Sequence, residues 1–109
     1  MYKVIVFAGT TEGYGLCRFL GEHQIPVLGC VATEYGAKSL QEGEFLHVRA
    51  GRLTRPEMEE LLKKERPQLV LDATHPYAAE VTENIRTACN NTEISCIRVL
   101  RNDSEHQQA

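Results

Sequence analysis

Apolar residues along the chain gather into five short, nearly continuous runs, separated by polar or amphipathic stretches of helix length. The runs are "YKVIVFA" (2–8), "PVLGCVAT" (26–33), "FLHVRAG" (45–51), "PQLVLDA" (67–73) and "ISCIRVL" (94–100). Each is short and bounded by glycine, proline or polar turn residues, which predicts strands. Between them the pattern predicts helices over about 12–23, 36–42, 54–65 and 77–89, the second short and weak. The third carries the clearest start signal. Thr54 is its expected N-cap, Pro56 lies in the first turn and Glu57 completes a capping box. The fourth has apolar positions at 78, 81, 85 and 88, with Pro76 at its start and Thr74 as its expected cap.

Strands joined by helical crossovers pair in parallel with right-handed connections. Strands covered by helices on both faces read as continuous apolar runs rather than alternating ones. Together these predict a doubly wound α/β fold, Rossmann-like or flavodoxin-like: a five-stranded parallel sheet of order 3-2-1-4-5 with helices on both faces. Ligands of such sheets bind outside the carboxyl ends of the strands, where the strand order reverses. With this order that point lies between the first and fourth strands, at "AGTTEG" (8–13) and "DATHPYA" (72–78). "ATEYG" (32–36) and "AGRLT" (50–54) stand on the outer side.

Composition narrows the ligand. A formal net charge of −3 leaves no basic stripe for nucleic acid. No apolar run approaches the ~18 residues of a membrane helix, and the chain enters its first strand without a signal-peptide pattern. Apolar and charged fractions of 42% and 25% are those of an ordinary globular protein, and cysteines expected as free thiols suit a reducing cytoplasm. Cys17, Cys30, Cys89 and Cys96 form no C-x-x-C pair and sit in apolar stretches, so buried free thiols are expected and no metal site. The polar end, 102–109, is expected to be frayed.

Within "AGTTEG", Gly9 suits a tight strand-to-helix turn, and Thr10 and Thr11 add hydroxyls beside the unpaired N–H groups of a helix start. Glu12 stands in the same first turn and competes for that positive end. The glycines at 9, 13 and 15 fit neither G-x-G-x-x-G nor a phosphate-binding Walker loop. A phosphoacceptor receiver is excluded, because the first and third strands lack its acidic residues. A flavodoxin-type module remains open, with Tyr35 and Tyr77 as the aromatic faces for a flavin. In "DATHPYA", Asp72 is expected to cap the turn, and Pro76 to fix where His75 projects.

"VIVFAGTTEGYGLCRFL", "CVATEYG", "VRAGRLT" and "LVLDATHPYAAEVTENIRTAC", in this order, resemble the precorrin-6A reductase family of the corrin pathway to cobalamin. Phe7 and Ala8 stand where a Gly-Gly start is commoner, and Thr54 where "GRLD" is commoner. The resemblance implies NADPH-dependent reduction of one macrocycle double bond of precorrin-6A or its cobalt form. It implies two α/β domains around a cleft, of which 1–101 is the N-terminal one and the C-terminal one is absent from this chain. Carried over by position, Gly9, Thr10, Thr11, Glu12, Thr33, Gly51, Arg52, Ala73 and Thr74 face the cofactor, with Glu34, Tyr35 and Gly36 completing the second-strand loop. Arg52 is the expected phosphate partner. His75 and Tyr77 are the expected substrate-facing groups, neither assigned as proton donor. Arg98 and Arg101 are read as solvating the domain end rather than meeting substrate carboxylates. The alternative is a stand-alone nucleotide- or flavin-binding module without catalysis.

Overall fold

A computed structural model describes residues 1–100. Arg101 and the expected frayed tail, 102–109, lie outside the described residues. Five parallel strands run through the sheet in the order β3-β2-β1-β4-β5. They are β1 (Val4–Ala8), β2 (Val27–Val31), β3 (Leu46–Ala50), β4 (Leu69–Ala73) and β5 (Cys96–Arg98). The helices between them are α1 (Thr11–Glu22), α2 (Glu34–Lys38), α3 (Arg55–Glu65) and α4 (Ala79–Thr92). This is the expected doubly wound, Rossmann-like sheet.

Strand alternation divides the core into two layers. Val4, Val6 and Ala8 of β1 join Val27, Val31, Leu71 and Ala73 under Cys17 of α1 and Leu40, just past α2. Ile5 and Phe7 point the other way, with Leu28, Cys30 and Val70, against Met58, Leu61 and Leu62 of α3 and Ile85, Ala88 and Cys89 of α4. Both faces of β1, β2 and β4 are therefore covered, which explains their unbroken apolar sequence.

Three expectations shift. α2 begins at Glu34 rather than 36, because Thr33 caps it by accepting the Gly36 N–H at 3.0 Å. α4 begins at Ala79, and its N-cap residue Ala78 makes no side-chain cap bond. Thr74 is therefore not its cap. Residues 75–78 instead close a turn in which the Ala78 N–H donates to the His75 carbonyl at 2.9 Å, with Pro76 at the second position that its fixed φ suits. β5 is three residues long at the sheet edge, and Cys96 is exposed there, unlike the other three thiols.

Candidate functional site

The carboxyl ends of β1 and β4 are tied to each other before either meets a ligand. Thr10 caps α1, accepting the Gly13 N–H at 3.2 Å, and its hydroxyl donates to the Ala73 carbonyl at 2.9 Å. The Gly9 N–H donates to the same carbonyl at 3.2 Å. Gly13 lets α1 lie close to the sheet: a Cβ there would stand 3.0 Å from both the Ala73 Cβ and the Ala8 Cα. The helix start is thus held over the junction of the two strands, with Thr11 exposed and Glu12 in the first turn.

At the end of β3, Gly51 adopts φ of 118° and donates its N–H to the Val31 carbonyl at 2.9 Å. A side chain at that φ would be strained. Arg52 follows, exposed and with no ion pair or hydrogen bond to a described residue. The expected capping box of α3 is present. The Glu57 N–H donates to the Thr54 hydroxyl at 3.3 Å, and the Thr54 N–H donates to the Glu57 carboxylate at 2.8 Å. The Thr54 backbone bond, seconded by its hydroxyl, holds the Glu57 carboxyl below the usual carboxylate range.

The turn after β4 is built around Asp72, only 2% exposed. Its Oδ1 accepts the Thr74 N–H at 3.1 Å, the Thr74 hydroxyl at 2.7 Å and the Arg98 Nη1 at 3.0 Å. The same Arg98 nitrogen lies 3.0 Å from the Thr74 carbonyl. Arg98 therefore clamps the turn instead of solvating the domain end, correcting the expectation; the parallel register of β5 on β4 sets Asp72 opposite Arg98. His75 Nδ1 accepts the Tyr77 N–H at 3.1 Å, which leaves Nε2 as the donor of the neutral ring. The two rings stand 5.0 Å apart, and both side chains are exposed.

Two hollows flank this edge. One, enclosing about 560 Å³, opens between the first turns of α3 and α4; Gly9, Ala32, Gly51, Arg52, Thr74 and His75 are in its lining. The other, about 740 Å³, lies on the α1 side, bounded by Gly9, Thr10, Thr11, Glu12, His75 and Tyr77 among others. Gly9 and His75 belong to both. Two expected cofactor residues line neither: Ala73 is fully buried, and Thr33 is an exposed cap. Tyr35 also lines neither, so it does not face Tyr77 across a flavin-sized gap. Sequence reasoning missed Leu53, Ala78, Val81 and Asn84, which floor and wall the first hollow. The helical spacing of 78 and 81 marked them as buried positions, but not as ligand-facing ones.

The family described as precorrin-6x reductase CbiJ/CobK matches residues 3–109. The cobalt-precorrin-6A reductase of Salmonella typhimurium is 37% identical over 98 residues, covering 90% of this chain and 37% of that protein. The solved structure of CobK precorrin-6A reductase aligns with a TM-score of 0.77 and 26% identity, over 93% of this chain and 38% of that one. A wide-type short-chain dehydrogenase/reductase from Veillonella parvula, solved in complex with NADP, aligns with a TM-score of 0.70 and 15% identity over 97% of this chain and 51% of that one. That last likeness is one of fold alone. The chain spans well under half the length of the two precorrin reductases it matches.

Proposed function

The chain belongs to the precorrin-6x reductase family, and from that premise we propose that it supplies one wall of a reductase cleft in cobalamin biosynthesis. The reaction is the NADPH-dependent reduction of a macrocycle double bond of precorrin-6A or its cobalt form. The remaining wall comes from a second domain, as the length of the relatives suggests.

The observation that carries this reading is the pair of hollows meeting at Gly9 and His75, directly over the junction of β1 and β4. A dinucleotide needs two compartments joined at its pyrophosphate, and the start of α1 stands between these two. The first hollow fits an adenosine. Its volume, about 560 Å³, is of ligand size, and small or apolar residues such as Ala8, Val31, Ala32 and Gly51 line it. No acid follows β2 directly: Ala32 and Thr33 stand where an aspartate or glutamate would hold an unphosphorylated ribose and repel a 2′-phosphate. Arg52, exposed in that lining and without a partner among the described residues, matches that phosphate. In the second hollow, Thr11 and Glu12 border the pyrophosphate end, and His75 and Tyr77 face the tetrapyrrole.

Bound NADPH would supply the hydride. What this chain's residues do is hold and orient. The Asp72–Arg98 clamp fixes the turn, the turn presents His75 Nε2 as a donor, and Tyr77 offers an exposed aromatic face to a planar macrocycle. Mapping amide shifts by nuclear magnetic resonance as NADP⁺ is added tests the placement. Perturbations should cluster at Gly9–Gly13, Gly51–Arg52 and Thr74–Ala78. Shifts confined to the β5 edge or the far ends of the strands would refute it.

A further inference from the structure

β5 pairs with β4 so that Val70 lies opposite Cys96 and Asp72 opposite Arg98. Alternate residues of a strand share a face. Val70 points into the layer under α3 and α4, and Arg98 reaches Asp72 on that same side. Cys96 therefore projects toward α4. Cys89, near the end of α4, is 2% exposed and packs in the same layer with Val70 and Ile94. The two thiols are neighbours there, each shifting the titration of the other. One member of the pair is open to solvent and the other is buried behind it.

We propose that Cys96 and Cys89 form a redox-active dithiol, in which exposed Cys96 reacts with small disulfides and buried Cys89 resolves the product. Reactive thiols of this kind are accessible, favoured as thiolates and poised beside a resolving partner. Cys96 meets each condition. The neighbouring Cys89 thiol lowers its pKa, against burial and the Asp72 carboxylate, with help from the Arg86 and Arg98 guanidiniums. Cys17 and Cys30 are of the opposite kind, pushed up to about 11 and about 12 by burial.

The chemistry balances with a low-molecular-weight disulfide as oxidant. Cys96 thiolate attacks one sulfur of glutathione disulfide, forming the mixed disulfide and releasing glutathione thiolate. Cys89 is held up in pKa chiefly by the neighbouring Cys96, and that cause disappears once the Cys96 charge is consumed. Its proton passes to the released thiolate. Cys89 sulfur then attacks the Cys96 sulfur, closing the intramolecular disulfide and expelling a second glutathione. Two thiols are oxidised and one glutathione disulfide is reduced to two glutathiones.

The test incubates the reduced full chain with excess glutathione disulfide and follows intact mass, with peptides mapped after cleavage at Glu93, which separates the two cysteines. The expected course is a transient single adduct on Cys96, then a species lighter than the reduced chain by two hydrogens, with the two peptides joined. Cys96→Ser should react roughly tenfold more slowly or less readily still, and Cys89→Ala should stop at the adduct. Cys96→Ser, at an exposed position, keeps the test decisive even if Cys89→Ala fails to fold. First modification at Cys17 or Cys30, or a wild-type chain that remains at the adduct, would overturn the proposal.

Discussion

Arg98 and Arg52 are both arginines at the ligand-facing edge, and their surroundings give them opposite roles. Arg98 neutralises an aspartate that is 2% exposed, so removing it leaves a buried charge without its cation. Arg98→Ala should cost about 3 kcal/mol in urea unfolding, and adding Asp72→Asn should recover part of that loss. Arg52 has no described partner, so Arg52→Ala should leave the unfolding midpoint unchanged. It should weaken NADPH binding about tenfold, the size of one charge-assisted hydrogen bond of ~1.5 kcal/mol, and bring NADPH and NADH affinities together. The role of Arg98 was hidden in the sequence for a specific reason. Pairing it with Asp72 requires the register of β5 to one residue, and a three-residue edge strand carries too short an apolar pattern to set that register. The exposure of Cys96 was hidden by the same shortness.

At the scale of the element, two glycines in one helix give opposite predictions. Gly13→Ala would set a methyl 3.0 Å from the Ala8 Cα and the Ala73 Cβ, both on sheet strands that cannot yield easily. It should destabilise the chain by about 1–2 kcal/mol despite the better helix propensity of alanine. Gly15→Ala meets nothing within 4 Å and should stabilise by up to about 1 kcal/mol. Calorimetric melting of the two variants checks the sign of each. The start of α3 responds to pH. Because folding lowers the Glu57 pKa, its contribution is present above the ordinary carboxylate pKa and disappears as pH falls through the lowered folded value. Hydrogen-exchange protection at the start of α3 should therefore decline in acid, and Glu57→Gln should flatten that decline. The start of α3 was legible because a capping box is a local signal, complete within four residues. The start of α4 was not. Thr74 looks like a cap in sequence, but its hydroxyl bonds Asp72 and Thr82, and Pro76 belongs to the preceding turn.

Across the whole molecule, strand order was legible because uninterrupted apolar runs, joined one to the next by helices, admit few parallel arrangements. The switch point followed from that order, and with it the loops at Gly9, Gly51 and Thr74. The division of the edge into two hollows could not be read from sequence, since it depends on how α3 and α4 splay at their first turns around Leu53, Ala78 and Val81. On the proposed reading, these hollows together hold a phosphorylated nicotinamide dinucleotide. The most direct test is calorimetric titration of this chain with NADPH and NADH at low and moderate salt. The expected result is one site for NADPH, weaker binding of NADH, and an NADPH affinity that falls as salt rises. Equal affinity for the two nucleotides, or no binding of NADPH, would contradict it.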